Sequence, residues 1–193
     1  MQAGVFMPEL LTDIEEHCVK QNRLFDGKIL SLRRDDVRTP SGRIASREVV
    51  EHKHAIGVLA LTGKNSVLLV KQYRYAISSV TLEICAGLIE QGEDPYQAAE
   101  REMQEELKFK AGKLEKIGGF YASPGFCTEF VTVFAASELE PSDLPQDEDE
   151  NVSTVEIAYN EIPAMLTDGR IQDSKTFAAL SWLMAKEGIT PAG

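Results

Sequence analysis

Three glutamates within five residues are the part of the sequence best suited to chemistry. Glu102 and Glu106 are four residues apart, and Glu105 follows Glu102 by three, so on a helix their carboxylates lie on neighbouring parts of one surface. Like charges at this spacing repel unless a cation offsets them. Hard divalent cations such as Mg²⁺ prefer oxygen ligands and are often held by one or two carboxylates plus substrate phosphates. On spacing alone, the cluster indicates either a metal site or a solvated helix face.

A helix over residues 95–107 is predicted to carry this cluster. Pro95 suits a first helical turn, where its missing N–H costs nothing. Ala99, Met103 and Leu107 recur every four residues and form the expected buried stripe. Arg101, four residues before Glu105, offsets part of the charge, but one guanidinium does not balance three carboxylates.

The rest of the chain alternates between strand-like segments and a few helices. Strands are predicted over 23–34, 43–51, 55–61, 67–73, 80–86, 112–121, 130–136 and 152–158, and closing helices over 160–166 and 174–186. This order favours the α+β class with a mixed sheet.

Composition limits the function classes. The chain has 193 residues and a formal net charge of −11, which argues against a broad nucleic-acid-binding face. No stretch approaches the ~20 apolar residues of a membrane span, and the N-terminus lacks the pattern of a secretory signal. The three cysteines show neither a disulfide framework nor a zinc pattern. We expect a cytoplasmic protein that binds neither membrane nor nucleic acid.

The stretch GLIEQGEDPYQAAEREMQEELKF, residues 87–109, resembles the Nudix box. The matching positions are Gly87, Glu93, Arg101-Glu102, the apolar Met103, Glu105-Glu106 and the apolar Phe109. Lys108 departs from the pattern, since the family usually has glycine there. We expect this departure to alter a local turn and not the chemistry.

The resemblance implies a Nudix fold, an α/β/α sandwich around a mixed sheet. It makes Glu102 and Glu106 the principal Mg²⁺ ligands, with Mn²⁺ as a substitute, and Glu105 a ligand or a water-orienting group. The backbone carbonyl of Ala86 would complete the site. Glu93 and Arg101 would form a structural pair that shapes the loop.

Residues outside the box are similar to the ADP-ribose pyrophosphatase subgroup. The run TLEICAGLIE, residues 81–90, looks like its lead-in, although Cys85 stands where proline is common. Pro124 lies fifteen residues after Phe109, a spacing that marks the subgroup. Residues 47–52 and 72–75 are also similar, and the likeness spans about residues 23–185. It implies hydrolysis of ADP-ribose to AMP and ribose 5-phosphate.

Candidate substrate residues follow from this likeness. Arg47 and Arg74 offer planar guanidinium forks that match phosphate or ribose oxygens; the alternative is two exposed arginines beside strands. Glu83 is a candidate for substrate or second-metal contact, or else an ordinary solvated carboxylate.

The general base is expected on an acidic loop. Glu150 aligns best with the family's usual position, and Glu148 is the second candidate. Such a loop can close over bound substrate and deliver a carboxylate. The alternative is a solvated run of charges.

The subgroup also implies a homodimer. An N-terminal β subdomain, residues 1–53, would pack on the partner subunit and contribute substrate contacts, with aromatic residues such as Phe25 near the adenine, while residues 54–193 form the catalytic domain. Two alternatives stay open: a hydrolase of another nucleoside diphosphate sugar such as GDP-mannose, and a non-catalytic ADP-ribose sensor. Intact Glu102, Glu105 and Glu106 argue against the sensor.

Overall fold

A computed structural model describes residues 14–142, 144–145 and 151–190. Its strands and helices are β1 His17–Asp26, β2 Leu30–Arg38, β3 Ile44–His52, β4 Ala55–Leu61, β5 Ser66–Arg74, β6 Ser79–Glu83, β7 Cys85–Leu88, α1 Pro95–Glu102, β8 Phe109–Tyr121, β9 Phe130–Pro141, β10 Val152–Ala158, α2 Ile162–Thr167 and α3 Ser174–Glu187. Two compact units are formed. One contains residues 14–53 and Ser123–Thr128, and the other contains His54–Ala122 and the described residues from Glu129 onward.

The second unit is built on a seven-stranded sheet. Its main path runs β10-β5-β4-β9-β8, with β6 paired to β5 and β7 paired to β4. β4 and β9 are parallel, and the other pairs are antiparallel. The predicted α+β class with a mixed sheet is therefore confirmed.

Both faces of this sheet are covered, because its central strands are apolar on both sides. Leu59 of β4 belongs to a buried cluster with α2 and α3, whereas its neighbours Val58 and Ala60 belong to a second cluster with α1. Successive strand residues point to opposite faces, so continuous apolar strands require a helical layer on each side. This is the α/β/α sandwich that the resemblance implied.

The helix with the carboxylate cluster differs from the prediction in one respect. The α-helix ends at Glu102, and Met103–Leu107 form a π-helical turn. The N–H of Lys108 donates to the carbonyl of Met103, five residues back, and Lys108 has a left-handed backbone with φ of 64°. Glycine is the usual residue in this conformation, and Lys108 adopts it here. Ala99, Met103 and Leu107 are buried as expected.

The first unit contains a three-stranded antiparallel sheet in the order β1-β2-β3. The single strand predicted over 23–34 was wrong, since the chain turns between Asp26 and Leu30, where Gly27 N–H donates to the Leu30 carbonyl at 2.9 Å. Asp-Gly is a strong hairpin signal, but apolar alternation continues through it. The segment Ser123–Thr128 runs beside Val50 of β3.

Within the described part of the chain, no helix is long and apolar enough to cross a membrane.

Candidate functional site

Glu102 lies directly against the backbone of Gly87. A Cβ atom at Gly87 would be 1.8 Å from Oε1 of Glu102, far inside van der Waals contact, so only glycine allows this approach. Gly87 is held in β7, opposite Ile56 of β4, so the sheet fixes the surface that Glu102 meets. The glycine of the box is therefore needed for the position of a glutamate fifteen residues later.

Glu106 reaches the same stretch of backbone. Its Oε2 accepts a hydrogen bond from the Ala86 N–H at 3.1 Å. Glu102 and Glu106 are 6% and 4% exposed, which is rare for glutamate unless its charge is compensated. Two carboxylates and the strand Cys85–Leu88 thus meet at one buried place.

Arg101 connects the box loop to the helix. Its Nε and Nη2 donate to the two carboxylate oxygens of Glu93 at 2.9 and 3.1 Å, which confirms the predicted pair. Nη1 donates to Glu102 at 2.7 Å and to Glu105 at 3.0 Å, and Nη2 also reaches the Leu88 carbonyl. The hydrogen bond with Glu93 is the main cause that raises the pKa of Arg101, and the bond to Glu102 adds to it.

We predict that Arg101→Lys lowers the free energy of unfolding by about 2 kcal/mol, because an ammonium cannot reproduce a charged, bidentate pair that is partly buried. Urea denaturation measures this. Arg170→Lys is the matched control, since the pair of Arg170 with Asp168 is about half exposed and should matter by less than about 0.5 kcal/mol. Equal losses in the two variants would contradict the role of Arg101.

The donor set fits a hard divalent cation. Carboxylate oxygens of Glu102 and Glu106 and the nearby backbone are the ligand type that Mg²⁺ prefers, and Mg²⁺ completes its shell with water and substrate phosphates. Among the described residues, no group of three or more His, Cys, Asp or Glu side chains is arranged as a metal site. A cation held by Glu102 and Glu106 would complete its shell with other oxygen atoms, from backbone, water or substrate.

Glu83 and Arg74 form a second cluster. Nε and Nη2 of Arg74 donate to the two oxygens of Glu83, each at 2.7 Å. Glu83 is 1% exposed, so the alternative of a solvated carboxylate was wrong. Thr81 Oγ1 and Lys175 Nζ also donate to it. Lys175 was missed in the sequence because it lies 92 residues away.

These contacts fix the ionisation of Glu83. Burial alone would raise its pKa, but hydrogen bonds from Arg74, the charge and hydrogen bond of Lys175, and the Thr81 hydroxyl lower the pKa from 4.5 to about 2. The hydrogen bond with Glu83 is also the main cause that raises the pKa of Arg74, and the charge of Glu106 contributes. Arg74 is thus within electrostatic range of the carboxylate site.

We predict a pH-dependent contribution of Glu83 to stability. Its folded pKa is depressed, so the contribution is complete above pH 4.5 and is lost as the pH falls towards about 2. Unfolding free energies measured by urea denaturation across this window should fall more steeply for the wild type than for Glu83→Gln. Glu115→Gln, an exposed site on β8, should follow the wild type. Parallel curves for wild type and Glu83→Gln would refute the assignment.

Three predicted substrate residues lie in the first unit. Arg47 donates through Nε to Glu16 at 2.9 Å and makes a second bond to the same carboxylate through Nη2. Phe25 on β1 is 56% exposed, and Pro124 is exposed in the segment beside β3. Their roles stay predictions.

The remaining candidates are Glu105, predicted as a metal ligand or water-orienting group, and the predicted bases Glu148 and Glu150. Glu105 is partly exposed and lies in the π-helical turn. It shares the guanidinium of Arg101 with Glu102. Glu148 and Glu150 lie outside the described residues.

Family models match nearly the whole chain. A NUDIX domain model matches residues 51–180, and a model described as the nucleoside diphosphate sugar hydrolase N-terminal domain matches residues 16–50.

Curated relatives and a solved structure agree with these matches. The ADP-ribose pyrophosphatase of Bacillus subtilis is 37% identical, covering 93% of this chain and 98% of that protein. The GDP-mannose pyrophosphatase of Yersinia pestis is 33% identical, covering 76% and 80%. A crystal structure of an ADP compounds hydrolase matches with a TM-score of 0.81 at 20% identity, over 91% of this chain and 97% of that one; this likeness shows the fold.

Proposed function

The chain belongs to the Nudix family of hydrolases, and we propose that it cleaves ADP-ribose to AMP and ribose 5-phosphate with Mg²⁺. The observation that carries the proposal is the meeting of Glu102 and Glu106 at the backbone of Ala86 and Gly87. The name of the Bacillus subtilis relative, which aligns over 93% of the chain, supports ADP-ribose as the substrate.

The metal would be held by Glu102, Glu106 and the Ala86 carbonyl, and Mn²⁺ would serve as a substitute because the donors are oxygen atoms. When bound, it neutralises charge on the diphosphate and lowers the pKa of a coordinated water. Nudix hydrolases generally use a divalent metal, which is consistent with this donor set.

The protein's own residues bind and orient the diphosphate. Arg74, whose side chain is 44% exposed, would donate to a phosphate oxygen, and Arg47 would contact a second phosphate or the terminal ribose. Arg101 keeps Glu102 and Glu105 in place through its hydrogen bonds. Each of these groups is fixed by a partner before substrate arrives, and such preorganisation favours catalysis.

Water is the nucleophile. It adds to one phosphorus while the bridging oxygen leaves with the other phosphate, and a carboxylate accepts the water's proton. Glu150 is the proposed base and Glu148 the alternative. Glu105, beside Glu102, is proposed to ligate the metal or orient the water.

We also propose a homodimer, with residues 1–53 contributing to the interface. The first unit exposes several large apolar side chains, which are Val19, Leu24, Phe25, Ile29, Leu30 and Ile44. Exposed apolar side chains in such number favour an interaction surface. Pro124 and Phe25 would then contribute to recognition of the nucleoside end. Sedimentation velocity should give twice the chain mass of 21.3 kDa; a monomer at micromolar concentration would contradict this.

The second candidate is hydrolysis of another nucleoside diphosphate sugar. The Yersinia pestis relative is named for GDP-mannose, and its substrate shares the diphosphate with ADP-ribose. A substrate panel with Mg²⁺ separates the two candidates. We expect the highest kcat/KM with ADP-ribose. A much higher kcat/KM with GDP-mannose would reject our first choice, and binding of ADP-ribose without any turnover would favour a sensor.

A further inference from the structure

The Glu83 carboxylate is shared by two cations from distant parts of the chain. Oε1 accepts from Arg74 Nε and Thr81 Oγ1, each at 2.7 Å, and Oε2 accepts from Arg74 Nη2 at 2.7 Å and from Lys175 Nζ. Two donors on each oxygen use the acceptor sites that a carboxylate has. Glu83 could ligate a metal, or accept a hydrogen bond from a substrate, only after losing one of these donors.

The side chain of Lys175 is largely buried and is paired with two carboxylates. Its side chain is 13% exposed, and it is the second residue of α3, where the helix dipole disfavours a positive charge. Asp173 offsets this charge by accepting from Lys175 Nζ at 2.9 Å, and the same carboxylate caps α3 through the N–H of Thr176. Lys175 is therefore paired with two carboxylates, Glu83 and Asp173, each of which is held by other hydrogen bonds within the protein.

The beginning of α3 is also fixed to the strand that leads to the carboxylate site. The hydroxyl of Thr176, which is fully buried, accepts from the Ile84 N–H at 2.8 Å. Ile84 directly precedes β7, which carries Ala86 and Gly87. Hydrogen bonds at the start of α3 therefore fix the position from which Lys175 reaches Glu83.

Arg74 is the member of the cluster that faces solvent. Two of its nitrogens are occupied by Glu83, while among the described residues Nη1 has no hydrogen-bond partner. Because 44% of the Arg74 side chain is exposed, an anion can reach Arg74 from solvent. Its orientation depends on Glu83, and Glu83 is held in turn by Lys175.

We propose that Lys175 is a positioning residue for phosphate binding, which fixes Glu83 so that Glu83 orients the guanidinium of Arg74 towards a substrate phosphate. This role rests on the proposed function, since it assumes a diphosphate substrate near Arg74. It differs from a direct role, in which the ammonium of Lys175 would itself contact the phosphate.

A double-mutant cycle separates the two roles. Lys175→Met should raise KM for ADP-ribose about 10-fold through the loss of one charged hydrogen bond, with a change in kcat below about threefold. In an Arg74→Met background the same change should add less than about twofold, because both residues act through one contact. Lys175→Arg should restore KM to within about threefold, because its guanidinium can donate to both Glu83 and Asp173.

Two controls accompany the cycle. Lys113→Met, at an exposed position of β8, should leave KM unchanged. Thr81→Val removes a different donor from the same carboxylate and keeps every charge, so it should raise KM by about threefold. If Lys175→Met shows no cooperative unfolding in urea, Lys175→Gln replaces it in the cycle and should raise KM in the same way.

Several outcomes would overturn the proposal. Effects of Lys175→Met and Arg74→Met that multiply to about 100-fold would indicate two independent phosphate contacts. An unchanged KM in Lys175→Met, or a loss confined to kcat, would also reject it.

Binding of inorganic pyrophosphate, measured by calorimetry, repeats the cycle without turnover. Weaker binding in each single variant, with no further loss in the double variant, supports the role of Lys175 even if the wild type fails to hydrolyse ADP-ribose, which would reject only the proposed function. Hydrolysis with additive losses of pyrophosphate affinity would reject only the role of Lys175. A wild-type protein that binds no pyrophosphate would also reject the role of Lys175.

Discussion

Glu106→Gln is expected to lower kcat for ADP-ribose by about 100-fold or more, because the amide removes the charge that would hold the cation. Glu106 is buried and accepts from the Ala86 N–H, so the isosteric amide keeps the shape of the site. The Mg²⁺ concentration for half-maximal activity should rise in the same variant. Steady-state kinetics across a Mg²⁺ titration measures both quantities.

Glu100→Gln is the matched control for this substitution. Glu100 lies on α1 and is exposed, and its side chain has no assigned role, so activity and Mg²⁺ dependence should equal those of the wild type. Unchanged turnover in Glu106→Gln would remove Glu106 from the mechanism. An equal loss in both variants would point to a general effect of helix charge.

Gly87→Ala is expected to reduce kcat by about 100-fold while leaving the protein folded, since it moves a proposed metal ligand. The atoms that a new Cβ would meet are Oε1, Cδ and Cγ of Glu102, at 1.8, 1.9 and 2.6 Å. All three atoms belong to the Glu102 side chain and none to the backbone, so Glu102 can move away by giving up its hydrogen bond with Arg101. The backbone of Gly87 is not left-handed, and alanine is tolerated there without strain.

Gly87→Ala should lose far more kcat than folding stability. The free energy of unfolding should fall by no more than about 2 kcal/mol, the cost of the charged hydrogen bond from Arg101 that Glu102 gives up. Gly118→Ala is the control, because a Cβ there meets no atom within 4 Å, and it should be fully active. Full activity of Gly87→Ala would show that the position of Glu102 is not required.

Features set by local spacing could be predicted from the sequence. Ala99, Met103 and Leu107 lie on one face at helical spacing, and all three are buried. The pair of Glu93 and Arg101 followed from a fixed motif and is present. Motifs of this kind hold because the chemistry and the local backbone require the same residues at the same separation.

Features that depend on tertiary packing could not be predicted in this way. Lys175 meets Glu83 only because α3 begins beside the strand that precedes β7. The π-helical turn at Met103–Leu107 depends on the hydrogen bond from Lys108 to Met103, whereas spacing alone predicted a regular α-helix. The hairpin turn after Asp26 was hidden by continuing alternation, although the Asp-Gly pair marked it.

Product analysis of ADP-ribose hydrolysis, with and without divalent metal, tests whether the protein is a Mg²⁺-dependent ADP-ribose pyrophosphatase. With Mg²⁺, the protein should yield AMP and ribose 5-phosphate in equal amounts; chelation with EDTA should stop the reaction, and added Mg²⁺ should restore it. ADP-ribose left intact while GDP-mannose is cleaved, or hydrolysis that continues unchanged in EDTA, would contradict this function.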